Sequence, residues 1–244
     1  HIQDNNLQEM LRKVFKTENE LTMAISATGS PGMETTVVNL IEPGDKMLVC
    51  INGVFGMRMA DLAIRCGANV MKVEAPWGEI IRPEQVKEAV AGKSPKLIAL
   101  VHAETSTGAL TPAEEISKIA HDAGALMLLD TVTSLGGCEV DIDGWSIDAV
   151  YSGTQKCLSC PPGLAPVSLS PKALKIANNR VRRGRRARAL CSSAAIRSSS
   201  TYSSLNLETP KLSSLQVCSA SEVMATVIVL AVCATSISMS MLHV

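Results

Sequence analysis

The stretch KLIALVHAETSTGALTPAEEISKIAHDAGALMLLD, residues 96–130, decides the fold. It opens with an apolar run (96–103), continues with an amphipathic segment ended by a glycine (112–124), and closes with a second apolar run (125–130). Strands that are apolar throughout and are separated by a helix indicate a parallel sheet covered on both faces. We therefore predict a strand, a crossover helix and a second strand.

The same alternation continues on both sides of this stretch. We predict further helices at 7–15, 31–41, 56–66 and 83–92, and further strands at 21–28, 46–51, 69–74 and 148–153. The fold class is therefore α/β, a mainly parallel sheet sandwiched by helices. Function in such sheets sits at the carboxyl ends of the strands. This places Thr28, His102, Thr105 and Asp130 along one rim.

Charge divides the chain into two unequal parts. Residues 1–170 hold 13 Lys+Arg and 21 Asp+Glu, whereas residues 171–244 hold 10 and 2. The first part has the balance of a soluble acidic domain, for which no nucleic-acid partner is expected. Eight cysteines without a regular spacing predict a reducing intracellular compartment. We favour the cytoplasm and leave the peroxisome and the mitochondrion open.

Two features of the predicted rim suit an anionic ligand. Asp130 ends a buried strand, where a carboxylate is unfavourable unless it meets a cation or hydrogen-bond donors; taken alone, it could equally be a cap or turn residue. Thr28, Gly29 and Ser30 lie between a strand and the start of a helix. Backbone N–H groups and the helix dipole favour a phosphate there, although many turns share this pattern.

A lysine completes the arrangement. Lys156 lies in YSGTQKCLSC (151–160), between an apolar run and a Pro-Pro-Gly turn. A buried ammonium is unfavourable unless it is used, and the alternative is a surface lysine with its stem along the protein. Phe55 offers an aromatic face, and hydroxyls follow His102 at 105–107. Lysine, carboxylate, phosphate-type turn and aromatic face are the parts that a pyridoxal phosphate site needs.

Several motifs carry a resemblance to a known family. They are NGVFG (52–56), HAETSTG (102–108), DTVTSLGG (130–137), YSGTQK (151–156) and PPG (161–163). In this order the chain resembles the class V, fold-type I aminotransferases, in the alanine–glyoxylate and serine–pyruvate branch, over roughly residues 5–178. The resemblance implies the large domain of that fold and pyridoxal 5'-phosphate as cofactor.

The resemblance also implies roles at the cofactor ring. Lys156 would form the Schiff base, and Asp130 would hold the pyridine nitrogen. Val132 would lie against one face of the ring and Phe55, where the family often has Trp, against the other. Thr105 would bond on the side of the phenolic oxygen.

The phosphate end, the substrates and the assembly follow from the same resemblance. Thr28, Gly29, Ser30 and Gln155 would hold the phosphate, with Ser30 standing where the branch commonly has His. The implied reaction is transamination between a small amino acid, alanine or serine, and glyoxylate or pyruvate. The implied assembly is a homodimer.

Other polar residues receive less specific interpretations. Cys157 and Cys160 form a C-x-x-C, but no second pair lies at zinc-ribbon spacing, and a closed zinc site needs four ligands. We therefore predict no metal. We interpret Glu104, Glu114 and Glu115 as a solvated acidic face.

The tail does not follow the family pattern. We predict a large-domain fragment at 1–178, truncated at both ends, and an atypical segment at 179–244 in which the small carboxyl-terminal domain is missing or replaced. Six arginines occur in residues 180–188, and residues 223–242 carry no charge. The basic run could bind nucleic acid or anionic lipid, and the apolar run could be a membrane anchor. We favour a third interpretation, that the segment is not a family product but, for example, a shifted reading frame or retained non-coding sequence. Activity is expected to be impaired; the alternative is a non-catalytic or tail-anchored remnant.

Overall fold

The computed structural model of the chain describes residues 2–180. In this range seven strands form one sheet: β1 Leu21–Ile25, β2 Lys46–Ile51, β3 Asn69–Glu74, β4 Leu97–Val101, β5 Leu126–Asp130, β6 Ala149–Tyr151 and β7 Ala165–Leu169. Six helices accompany them: α1 Ile2–Phe15, α2 Gly29–Leu40, α3 Val54–Arg65, α4 Pro83–Val90, α5 Ala113–Asp122 and α6 Pro171–Asn178. Within these bounds no helix is both long enough and apolar enough to cross a bilayer. The predicted tail lies outside the described residues from position 181 onwards.

The strand order is β1-β7-β6-β5-β4-β2-β3. The pairs β2–β3, β2–β4, β4–β5 and β5–β6 are parallel, so the predicted mainly parallel α/β sheet is confirmed. β7 was not predicted, and it pairs antiparallel with both β6 and β1. Its direction follows from the connection: no helix lies between β6 and β7, so the chain returns beside β6 by a loop instead of a crossover.

The sheet separates two apolar cores. In β4, Leu97 and Val101 pack with α2 and α3, whereas Ile98 and Leu100 pack with α4 and α5. All five residues of this strand are buried, as expected for a strand covered on both faces. Burying each leucine of this strand stabilises the fold by about 1.5–3 kcal/mol. This stabilisation holds the run 97–101 between the two cores.

The boundaries of several elements differ from the prediction in a way that matters for the site. β1 ends at Ile25 instead of residue 28, and α2 begins at Gly29 instead of Pro31. Thr28 is therefore the residue that precedes the helix, with an extended backbone. The first turn of α2, rather than a loop, faces the carboxyl ends of the strands.

Candidate active site

An open cleft of about 470 Å³, which includes solvent at its mouth, lies where β4, β5 and β6 end. The nine predicted site residues all line it: Thr28, Gly29, Ser30, Phe55, Thr105, Asp130, Val132, Gln155 and Lys156. Four further residues, for which no role was predicted, also line it: Met33, Val101, Thr133 and Tyr151. The structure thus brings the predicted set together, while the role of each residue stays a prediction.

His102 was placed on the same rim and does not line the cleft. It is 4% exposed and lies edge-on to Trp145, with 5.4 Å between the ring centroids. Burial lowers the pKa of its imidazole to about 4. His102 is therefore a neutral core residue at physiological pH.

Asp130 is the last residue of β5 and lies at the floor of the cleft. It is 3% exposed; its Oδ1 accepts from the Val132 amide at 2.9 Å and its Oδ2 from the Tyr151 hydroxyl at 2.5 Å. Burial raises the pKa of the Asp130 carboxyl to about 6, although both hydrogen bonds act in the opposite direction. Among residues 6–180 no cation forms an ion pair with this carboxylate. It is therefore a buried acid ready to receive a cationic ligand group.

Tyr151 is the functional candidate that sequence reasoning missed. Its phenol is fully buried, and burial together with the neighbouring Asp130 raises its pKa well above 10. The contact exists because Tyr151 and Asp130 are paired in the register of β5 and β6. Only this register could have revealed the contact, and it is not visible in the sequence.

Lys156 lies in a short loop after β6, and hydrogen bonds within the loop join its start to its end. The Thr154 hydroxyl donates to the Pro161 carbonyl at 2.7 Å, and the Cys160 amide donates to the Thr154 carbonyl at 3.0 Å. The Cys157 thiol reaches the Thr133 carbonyl at 3.0 Å and so ties this loop to the one that follows β5. The lysine is exposed at the cleft, where its amine is available to a ligand.

The amino end of α2 lines the cleft beside the loop that carries Lys156. Its first turn contains no acidic residue, and the Thr28 side chain makes no capping hydrogen bond. A Cβ on Gly29 would come within 2.9 Å of Val132, so only glycine allows this approach. Helix amides that no side chain caps, together with the helix dipole, suit an anion.

The interpretation of Glu104 as part of a solvated face is wrong. Its side chain is 1% exposed, and Oε2 accepts from the Phe55 and Gly56 amides at 3.1 and 3.2 Å. Oε1 accepts from the amide and the hydroxyl of Ser106. Glu104 therefore caps the start of α3 from a loop about fifty residues away, because a carboxylate stabilises the amino end of a helix.

Two threonines of the rim are in direct contact. The hydroxyls of Thr105 and Thr133 are hydrogen bonded to each other. Cys157 and Cys160 are exposed thiols in the lysine loop. Across the described residues no group of three or more His, Cys, Asp or Glu side chains could hold a metal ion.

Comparison with known proteins gives a consistent result. The model of the family "Aminotransferase class-V" matches residues 3–220. The chain is 40% identical over 182 residues to the (S)-ureidoglycine–glyoxylate transaminase of Bacillus subtilis, covering 74% of this chain and 44% of that protein. It is 40% identical over 169 residues to the alanine–glyoxylate aminotransferase of Rattus norvegicus, covering 69% and 41%.

A solved structure agrees with these relatives. The alanine–glyoxylate aminotransferase from Nostoc sp. superposes with a TM-score of 0.71 at 44% identity, covering 73% of this chain and 47% of that one. The chain thus spans less than half the length of these relatives.

Proposed function

The chain belongs to the class-V aminotransferase family, and we propose that its cleft binds pyridoxal 5'-phosphate, the cofactor on which that family depends, and serves in transamination. The observation that carries this proposal is the buried carboxylate of Asp130. It lies at the floor of a cleft whose rim also holds the amine of Lys156.

The residues present fit the cofactor at three points. Asp130 has no cation among its described partners, and a protonated pyridine nitrogen would supply one. A ring would lie between Val132 and Phe55, which both line the cleft. The first turn of α2 carries no competing acid, which leaves its amides to a phosphate.

Each residue then has a defined task. When bound, pyridoxal phosphate supplies a ring that takes up the electron pair released as the substrate's Cα–H bond breaks. Lys156 would hold the cofactor through its amine and then move the proton as a base and an acid. Asp130 would keep the ring nitrogen protonated, and the Tyr151 hydroxyl would hold that carboxylate in place and favour its charged form.

The remaining site residues would position the ligand. Thr28, Gly29, Ser30 and Gln155 would hold the phosphate. Thr105, whose hydroxyl is paired with that of Thr133, would act on the phenolic oxygen. Glu104 would act indirectly, because it fixes the turn that carries Phe55.

Alanine and glyoxylate are proposed by analogy to the named relatives, and serine and pyruvate from the family resemblance. Alanine or serine would donate the amino group, and glyoxylate or pyruvate would accept it. We also propose the homodimer that the family resemblance implies.

The experiment is a titration of the full chain with pyridoxal phosphate, followed by its visible spectrum, against Lys156→Ala and a matched surface control, Lys172→Ala. The wild type and the control should develop the same absorbance of a cofactor joined covalently to an amine, and Lys156→Ala, which can hold the cofactor only without that bond, should not develop it. An unchanged spectrum in Lys156→Ala would remove the proposal. An assay with alanine and glyoxylate then separates an enzyme from a cofactor-binding chain without turnover.

A further inference from the structure

Arg58 lies beside the cleft and is held there by two contacts. It follows Phe55 by three positions in α3, so the two side chains share one face of the helix. The guanidinium carbon is 5.3 Å from the centroid of the Phe55 ring. Its Nη1 donates to the Ser30 hydroxyl at 2.7 Å. Arg58 therefore bridges the amino ends of α2 and α3, between two residues that line the cleft.

Among the side chains at 6–180, no carboxylate forms an ion pair with Arg58. In contrast, Arg65, two turns further along the same helix, pairs with Asp61 at 2.8 Å. A guanidinium has five N–H donors, and the Ser30 contact uses one. The positive charge of Arg58 is felt inside the cleft. It acts to lower the pKa of the Tyr151 phenol, whereas burial and the Asp130 charge raise that pKa.

We propose that Arg58 is an anion-binding residue of this cleft and that its ligand is the phosphate group of the bound cofactor. The inference rests on the proposed cofactor binding and adds a residue that the sequence did not indicate. Ser30, its partner, stands in the first turn of α2, where the helix amides already favour an anion. A guanidinium held in place can form the paired hydrogen bonds that phosphate oxygens accept.

The test separates the phosphate from the rest of the ligand. Pyridoxamine 5'-phosphate and pyridoxamine differ only in that group, and neither forms a covalent bond with a lysine. Their dissociation constants are measured by calorimetry for the wild type, Arg58→Gln, Arg58→Lys and the helix control Arg65→Gln. We expect Arg58→Gln to bind the phosphorylated ligand about tenfold more weakly, as for one lost charge-assisted contact, and to bind pyridoxamine unchanged. Arg58→Lys should recover part of the loss, and Arg65→Gln should match the wild type.

Each other outcome overturns the inference in a different way. Equal weakening of both ligands would mean that Arg58 acts only by holding Phe55. Unchanged binding of both, with weaker binding of glyoxylate to the enzyme loaded with pyridoxamine 5'-phosphate, would identify the substrate carboxylate as the anion. A wild type that binds neither ligand would refute the proposed function itself, and this inference with it.

Discussion

Replacing Asp130 by asparagine tests the electrostatics of the cleft in the cofactor-free protein. The carboxyl is 3% exposed, and its pKa is raised from 3.8 to about 6 by burial. Between these two values the unfolded chain releases its proton before the folded chain does. Stability therefore falls as pH rises from about 4 to about 6 and stays lower above that range.

The size of the effect follows from the pKa values. At 1.36 kcal/mol per pKa unit, the rise to about 6 corresponds to about 3 kcal/mol when the group is fully ionised. Between about pH 4.5 and pH 7.5 the change is about 2 kcal/mol, because some ionisation has occurred at the lower pH. Asparagine has no charge to bury, but it cannot accept from both Val132 and Tyr151, which costs about 1–3 kcal/mol at every pH.

The assay is urea unfolding of the cofactor-free wild type and Asp130→Asn at both pH values. As pH rises, we expect the unfolding free energy of the variant to increase by about 2 kcal/mol relative to that of the wild type. The wild type and the variant must be compared with each other, because His102 also makes stability depend on pH. Burial lowers the pKa of His102 to about 4, so its burial destabilises the folded state as pH falls, which is opposite to the effect of Asp130. A difference that is the same at both pH values would refute the electrostatic account of the site.

Three further substitutions probe the surroundings of Asp130. Tyr151→Phe removes a hydrogen bond that lowers the pKa of Asp130, so we expect that pKa to rise further and the unfolding free energy at neutral pH to drop by about 1–3 kcal/mol. Urea unfolding over a pH series measures both, and no change in either would contradict the contact. Glu104→Gln keeps the shape but replaces an acceptor oxygen by a donor, and should lower the unfolding free energy by about 2 kcal/mol, whereas the exposed control Glu114→Gln should change it by less than about 0.5 kcal/mol. Gly29→Ala places a methyl group within 2.9 Å of Val132 and should weaken pyridoxal phosphate binding about tenfold or more, as seen by titration; binding equal to wild type would show that the cleft tolerates the added carbon.

The sequence predicted the central layer of the fold because its signals are local. The apolar runs 96–103 and 125–130 correspond to β4 and β5, and the amphipathic segment between them corresponds to α5. β4 and α5 are shorter than predicted at both ends, whereas β5 is shorter only at its start. β7 lacked such a signal, since its sequence APVSL contains a proline and a serine and is not an apolar run.

The site was predictable where one residue carries the information. Asp130 was predicted as a site residue because a charged side chain ends a buried strand. Lys156 was predicted because a lysine follows a second apolar run. The Tyr151 contact depends on strand register, and the burial of Glu104 depends on amides at 55 and 56. From the sequence a single glutamate is expected to be exposed, and only the folded structure shows that Glu104 caps α3.

Covalent trapping tests the central claim most directly. The full chain is incubated with a stoichiometric amount of pyridoxal phosphate, reduced with borohydride to fix the cofactor to the amine that holds it, digested, and mapped by mass spectrometry. The account predicts one modified peptide, labelled at Lys156. Label spread over surface lysines, with Lys156 unmodified, would contradict it.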